Sequence, residues 1–216
     1  MQAAANIRQL LGHPPSSQLI LQFLSSLSTT VSTSSSPTPE VKAYPDAVYF
    51  NFYALGISLL FLPVHGYKPR TGTPRADLEE DHLVLDGIDI YNSPERPPPE
   101  AEGKSARGAA TSIYSAYPIF PMALTLPPRT VDGKERPSAI AITQQTTGKE
   151  FLTWLGEPDR KGGGAGPSSG SIGIWIQYSK DGLMVEFGGD ESRGPQAWDR
   201  GKDAVWKVIS IIPPTE

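Results

Sequence analysis

The sequence has 216 residues and a formal net charge of −4 at pH 7, and it contains no cysteine. The missing cysteines exclude disulfides, thiolate nucleophiles and cysteine-based zinc or iron–sulfur sites, and the acidic balance gives no basic face for nucleic acid. The 21 glycines and 22 prolines exceed the usual share and cluster in a few stretches, which predicts a compact core with long irregular insertions.

Two helices are predicted near the N-terminus. The first begins at Asn6 and ends at Gly12. The second follows an N-cap at Ser16 or Ser17, because apolar residues recur at helical spacing between positions 19 and 27. This apolar run is shorter than the roughly 18 residues of a membrane span and polar residues interrupt it, so we expect no membrane contact.

The N-terminal segment also bears on the cellular compartment. Residues 1–36 contain no Asp or Glu and are rich in Ser, as in a mitochondrial presequence, but Arg8 is their only basic residue besides the histidine. A secretory signal is not indicated, because Pro14-Pro15 breaks the apolar run. We expect a cytoplasmic or nuclear protein, with a mitochondrial presequence as the alternative.

Two predicted strands lie between two predicted loops in the first half of the chain. Residues 28–43, rich in Ser and Thr, and residues 63–81, with scattered Gly and Pro, are predicted as flexible loops. Between them, Val48–Tyr53 and Ile57–Leu62 are aromatic and β-branched, and they are predicted as strands joined through Gly56.

A third strand and a linker complete the predicted first half. The strand covers Leu83–Tyr91, with a β-bulge expected at Asp86-Gly87, and residues 1–92 form a first repeat. Residues 93–110 carry four prolines together with charged and small residues, and they are predicted to be a disordered Pro-rich linker. Residues 111–216 form the second repeat.

The second repeat is predicted to contain one helix and four strands. Its helix follows a cap at Thr146 or Thr147 and ends at Gly156. Four apolar residues of this helix are expected to face the core: Phe151, Leu152, Trp154 and Leu155. The strands are predicted at 122–126, 172–178, 183–187 and 206–212, the middle two forming a hairpin across Lys180–Gly182.

The chain shows one order of features twice. A Leu-Gly step closes a helix at Gly12 and again at Gly156, and a glycine opens a strand at Gly56 and again at Gly182. Internal repeats indicate an architecture before any single motif does. The predicted fold class is α+β, with two tandem helix-plus-antiparallel-meander repeats whose helices pack on one face of the sheet.

This organisation resembles two known families. The helix that ends in Trp154-Leu155-Gly156-Glu157-Pro158, the aromatic strand and the glycine-started strand are similar to the repeat of the outer-membrane assembly lipoprotein BamE and of the β-lactamase inhibitor proteins. The stretch Gly156–Gly164 also resembles one in uncharacterised fungal proteins. The resemblance implies a helical pair on an antiparallel meander. Because the chain lacks the lipobox cysteine and the inhibitor disulfides, only the fold carries over.

A glycine-rich stretch at 159–171 is one candidate site. Bare backbone amides can cradle an anion, so the candidate anion-binding residues are Arg160, Lys161, Gly162, Gly163 and Gly164. The stretch leaves a helix and enters a strand, which does not match the order of a nucleotide-binding phosphate loop. A mobile loop without a ligand is the alternative interpretation.

Trp198 is the second candidate, because no helical or strand pattern around it would bury its ring. With Asp199 and Arg200 it could contact a partner, or it could anchor its loop on the sheet.

No catalytic constellation, cofactor motif or metal-ligand spacing stands out. The sequence therefore favours a non-enzymatic protein-interaction or scaffold module with another protein as partner. The alternative is a small-ligand or anion-binding protein, or an enzyme, that uses the stretch 159–171. A deep pocket with convergent polar groups beside that stretch would favour the alternative.

Overall fold

The computed structural model of the chain describes residues 6–31, 38–93, 113–131, 133–164 and 173–215. Over these ranges the fold is mixed α/β, with one large antiparallel sheet, two small two-stranded sheets and few helices. None of the helices in these ranges is long and apolar enough to cross a membrane.

Among the described residues, the N-terminal half contains one α-helix and four strands, together with short 3-10 turns. A 3-10 turn at Ile7–Leu10 precedes helix α1, Gln18–Thr30. The strands are β1 at Glu40–Tyr44, β2 at Ala47–Phe52, β3 at Ile57–Pro63 and β4 at Leu83–Tyr91. Helix α1 forms where it was predicted because apolar residues spaced three or four apart are buried on one face: Ile20, Phe23, Leu24 and Leu27.

The C-terminal half supplies eight strands and two helices. In chain order these are β5 at Met122–Thr125, β6 at Thr130–Val131, β7 at Lys134–Glu135, β8 at Ala139–Ile142, α2 at Gly148–Leu155, β9 at Arg160–Gly162, β10 at Trp175–Tyr178, β11 at Leu183–Phe187, α3 at Ala197–Arg200 and β12 at Trp206–Ile211. Helix α2 begins at a capping box, because the backbone N–H of Thr147 donates to Glu150 Oε2 at 2.7 Å.

Both halves build one continuous sheet. Its eight strands lie in the order β1-β2-β3-β4-β12-β11-β10-β9, and each neighbouring pair is antiparallel. The halves meet where β4 pairs with β12, from Tyr91 opposite Val208 to Ile88 opposite Ile211. Strands β1 and β9 therefore form the two edges.

The two inner hairpins have the same kind of turn. Tyr53–Leu55 and Ser179–Asp181 are 3-10 turns, and each ends at a glycine in the left-handed region, Gly56 with φ 62° and Gly182 with φ 55°. A Cβ atom at Gly56 would lie 2.6 Å from the backbone N of Tyr117. Glycine is required there both by the backbone angle and by the neighbouring chain.

A β-bulge also occurs in both halves. In the first half, the register shifts between Leu60 and Phe61 because Asp86 is the extra residue of β4. This confirms the bulge predicted at Asp86-Gly87. In the second half, the register between β11 and β12 shifts between Glu186 and Phe187.

The hydrophobic core lies against one face of the large sheet. The inward residues of β2, β3, β4, β10, β11 and β12 form a single buried cluster with side chains of α1, α2, β5 and β8. Trp206, Phe61 and Phe151 are the largest fully buried side chains among the described residues. One face is therefore covered, and we call the other the open face.

Helix α2 contacts the core through a narrower face than predicted. Phe151 and Leu155, four residues apart, are buried as expected. Leu152 is 37% exposed and Trp154 is only partly buried, so the expectation of four inward residues was too broad. An eight-residue helix on a sheet buries only the positions that point directly at the strands.

Polar side chains on the open face bond across the middle of the sheet. Ser58 Oγ donates to Asn51 Oδ1 at 2.8 Å, and Tyr114 Oη donates to the same oxygen at 2.6 Å. Ser210 Oγ donates to Asp89 Oδ1 at 2.6 Å. Burial, partly offset by this hydrogen bond, raises the pKa of the Asp89 carboxyl.

A cluster of buried charges joins the N-terminal segment to the second half. The two terminal nitrogens of Arg136 donate to the carboxylate of Asp181 at 2.8 and 2.6 Å, and both side chains are almost fully buried. Arg8 lies beside them, and its Nε and Nη2 are buried without a hydrogen-bond partner. Burial lowers the pKa of Arg8, Asp181 opposes this shift and Arg136 adds to it. Arg136 therefore binds the carboxylate directly, and Arg8 interacts with it only electrostatically.

The predicted loop at 28–43 needs correction. Helix α1 continues to Thr30, and β1 begins at Glu40. Val41 and Ala43 lie opposite Phe50 and Val48 of β2, so pairing with a buried strand overrides the polar composition of the segment. The predicted loop at 63–81 contains only short 3-10 turns, and its Gly72 N–H donates to Ala43 O at 2.9 Å.

The predicted loop at 159–171 also begins differently, because Arg160–Gly162 form edge strand β9. Except for Ser93, the disordered linker predicted at 93–110 lies outside the described residues, and so do residues 165–171 of the glycine-rich stretch.

Candidate functional site

A pocket opens on the covered side of the sheet near the β9 edge. Its volume is about 400 Å³, and residues of α2, β9, β10, β11, α3 and the turn after α3 line it. Its apolar wall consists of Leu152, Ile174, Ile176, Phe187 and Trp198. Its charged residues are Glu157, Lys161 and Lys202. We call this cavity the Trp198 pocket.

Helix α2 is held over the sheet at both ends, which fixes one wall of the pocket. At its start, the Gly148 N–H donates to Ala204 O at 3.0 Å. At its end, the phenol of Tyr178 donates to Gly156 O at 3.0 Å. Burial is the main cause that raises the pKa of Tyr178, so the phenol remains a neutral donor. Leu152, between these anchors, points to the rim.

Trp198 borders the pocket from the other side. It lies in α3, whose Ala197 is fully buried and donates its N–H to Gly194 O at 3.1 Å. Trp198 is 43% exposed, and Lys161 Nζ lies 5.7 Å from the centroid of its ring, within cation–π range. Trp198 is thus attached through its helix while part of its ring remains free for a ligand.

The glycines of the candidate anion loop are explained by close packing. A Cβ atom at Gly162 would lie 2.7 Å from the ring of Trp175, and one at Gly164 would lie 2.7 Å from Ile174 Cγ2. Gly163 and Gly164 also have positive φ angles of 83° and 84°. Each position therefore needs glycine whether or not an anion binds.

The basic residues predicted with this loop lie on different faces of the sheet. Lys161 is opposite Ile176 and faces the covered side, where it lines the pocket. Arg160 is opposite Gln177 and faces the open side. Only Lys161 and Gly162 of the five predicted residues line the pocket.

The three predicted partner-contact residues also separate. Trp198 lines the pocket, whereas Asp199 and Arg200 do not. Arg200 Nη2 instead donates long hydrogen bonds of 3.4 Å to the carbonyl oxygens of Asp190 and Arg193. Arg200 therefore braces its own loop.

Sequence reasoning missed other lining residues. Leu152 could have been found, because the buried pair Phe151 and Leu155 leaves it at the side of the helix. Lys202 follows Gly201 in a polar segment without periodicity, so no sequence signal marked it.

A second, shallower hollow of about 590 Å³ lies on the open face and is rich in tyrosine. Tyr44, Tyr49, Tyr53 and Tyr114 line it. The ring of Tyr114 stacks on Tyr91 at 3.7 Å and meets Tyr53 edge-on at 4.8 Å. Segment 113–117 is thereby fixed along the border of the open face.

Within the described ranges, no group of three or more His, Asp or Glu residues could hold a metal ion. Comparison of the chain with protein-family models, with curated proteins and with solved structures gives no match. Function must therefore be argued from the geometry of the Trp198 pocket and of the open face.

Proposed function

We propose that the chain is a non-enzymatic binding protein that takes a small, largely apolar molecule in the Trp198 pocket. The observation that carries the proposal is the meeting of Trp198 and Lys161, two separately predicted candidates, at one cavity of about 400 Å³. Pockets for small molecules have volumes of roughly 300–1,000 Å³, apolar walls and a few polar groups.

The walls suit an apolar occupant. Leu152, Ile176 and Phe187 present hydrocarbon surface, and Trp198 adds half of an indole ring. Burial of apolar surface contributes about 25 cal/mol per Å². An aromatic or aliphatic body that displaces water from these walls would therefore gain most of its affinity from contact with them.

Filling the pocket should weaken this binding. N-phenyl-1-naphthylamine, an uncharged probe that fluoresces in apolar surroundings, is titrated into the wild type and into Leu152→Trp. The larger side chain should weaken binding by about tenfold or more, equivalent to about 1.4 kcal/mol. The matched control is Leu21→Trp on α1, which is similarly exposed and does not line the pocket.

Equal affinity of the two leucine variants, or no binding to the wild type, would contradict the proposal. Trp198→Ala should weaken binding of the probe without changing the urea midpoint, because the side chain of Trp198 is partly exposed.

The second candidate is a protein-interaction module. It is supported by the open face, where four tyrosines border a hollow and Tyr44 is 42% exposed. Tyrosine is enriched in protein interfaces because its ring gives contact area and its hydroxyl a hydrogen bond. Tyr44→Ala and Tyr49→Ala should then abolish binding of the protein partner, whereas Leu152→Trp should leave it unchanged. All three variants are measured with the same purified partner.

We also propose that the two halves are copies of one unit, related to the BamE and β-lactamase-inhibitor repeat and to the fungal proteins named above. The matching four-strand orders, the glycines Gly56 and Gly182 and the bulges at corresponding places support this. An experimental structure in which β1–β4 and β9–β12 do not superpose would refute it. For the compartment we propose the cytosol or nucleus, to be checked by imaging a tagged chain.

A further inference from the structure

We propose that the Trp198 pocket selects apolar molecules with an anionic head group, such as a carboxylate or sulfonate, and that Lys161 and Lys202 hold this group. The inference rests on the binding function proposed above and adds the chemical class of its ligand.

Lys161 occupies a position that packing alone would give to an apolar residue. It lies on edge strand β9 opposite the buried Ile176, on the covered side of the sheet. At the other edge of the sheet, the residue opposite buried Phe50 on the covered side is Val41. A lysine can pack its aliphatic stem against such a wall while its ammonium remains in water, so Lys161 adds charge without loss of the apolar surface.

The charges around the pocket favour an anion. Lys161 comes from β9 and Lys202 from the turn that follows α3, so two separate elements bring a cation to the same cavity. Neither lysine takes part in an ion pair among the described residues. Among the described residues, Glu157 is the one carboxylate that lines the pocket. The lining charge is therefore positive by one unit, and an anionic group would supply the missing partner.

The head group and the body of the ligand would be bound by different parts of the site. The apolar wall of Leu152 and Phe187 holds the body, and Lys161 lies 5.7 Å from the Trp198 ring. A cationic ligand would meet two like charges, and an uncharged one would gain nothing from the lysines. An amphipathic acid satisfies both the wall and the ammonium groups.

Two probes that share an apolar body and differ by one sulfonate group test the inference. These are 8-anilinonaphthalene-1-sulfonate and its uncharged parent, N-phenyl-1-naphthylamine. The measured quantity is the ratio of their dissociation constants, because this ratio cancels the contribution of the shared apolar body. The double variant Lys161→Met/Lys202→Met keeps the aliphatic stems and removes both charges. In this variant the dissociation constant of the sulfonate, divided by that of the uncharged probe, should rise by about tenfold or more.

A matched control and a variant of opposite sign complete the design. Lys134→Met, in β7 and outside the pocket lining, should leave the ratio unchanged. Glu157→Gln should lower the dissociation constant of the sulfonate relative to that of the uncharged probe by a few fold, because it removes the repelling carboxylate. This second variant keeps the test valid even if the double lysine variant does not fold, which circular dichroism will show.

The outcomes separate the two proposals. A ratio that changes in opposite directions in the lysine and glutamate variants supports the inference. If both probes bind the wild type and neither variant changes the ratio, the head-group inference is overturned and the binding function stands. If neither probe binds the wild type, both proposals fail.

Discussion

Removing the carboxylate of Asp181 should destabilise the fold strongly. This side chain is 3% exposed and accepts two hydrogen bonds from Arg136, which is 2% exposed. Asp181→Asn keeps the size of the side chain and removes its charge. Two buried guanidinium groups, those of Arg136 and Arg8, would then lose the one carboxylate that both face.

The expected loss follows from burial. Breaking a buried ion pair by removing one partner costs about 3–5 kcal/mol, because the remaining charge stays desolvated, whereas an exposed pair is worth about 0–1 kcal/mol. Asp181 and Arg136 belong to the first class by exposure and geometry. Arg8 adds to the cost because its Nε and Nη2 already lack partners. We therefore expect a loss of about 4 kcal/mol in the free energy of unfolding.

Equilibrium unfolding in urea measures this loss, with Asp199→Asn on the exposed surface as control. Arg8→Met provides a second test, because its effect on stability should have the opposite sign. Because it removes a cation of which two buried nitrogens lack hydrogen bonds, it should be neutral or stabilising in the wild type and should restore part of the stability lost in Asp181→Asn. A loss below about 1 kcal/mol for Asp181→Asn would show that the cluster is solvated and that the argument from burial is wrong.

Three further outcomes are expected. In urea unfolding, Phe151→Ala should cost about 3–5 kcal/mol and Trp154→Ala clearly less, because only Phe151 is fully buried. Gly182→Ala should lower the melting temperature more than Gly66→Ala, since both have positive φ but only Gly182 has backbone atoms beside its missing Cβ. The raised pKa of Asp89 means that its stabilising contribution is present at acid pH and lost as pH rises through that pKa. Asp89→Asn should therefore be at least as stable as the wild type at neutral pH, and its advantage should shrink on acidification.

The central strands could be read from the sequence because their side chains alternate between a buried and a polar face. Strands β2, β3, β4, β10, β11 and β12 lie within a few residues of their predicted ranges. The edge strands β1 and β9 were missed, and so were the short strands β6, β7 and β8 outside the large sheet. Edge strands are short and carry charge, which protects them from pairing with other chains, so Glu40, Arg160 and Lys161 read as loop residues.

The parts of the pocket were predicted, but not the pocket itself. Trp198 was singled out because no pattern would bury it, and Lys161 because it precedes three glycines. The distance of 5.7 Å between Lys161 Nζ and the Trp198 ring depends on the packing of α3 beside β9. This packing is a tertiary contact that no local sequence signal predicts. Leu152 was placed in the core because helical periodicity cannot tell how far an eight-residue helix is covered.

The position of Arg8 beside Asp181 has a consequence for the order of folding. Arg8 and Asp181 are far apart in the sequence, and Arg8 is made well before Asp181. Contacts between such distant positions slow folding because a long loop must close first. During synthesis, Arg8 in the turn Ile7–Leu10 therefore stays without this carboxylate until the second half has been made. The electrostatic contact between Arg8 and Asp181 should therefore form among the last steps, whereas Gly12 and His13 can bond to Leu85 as soon as β4 has been made.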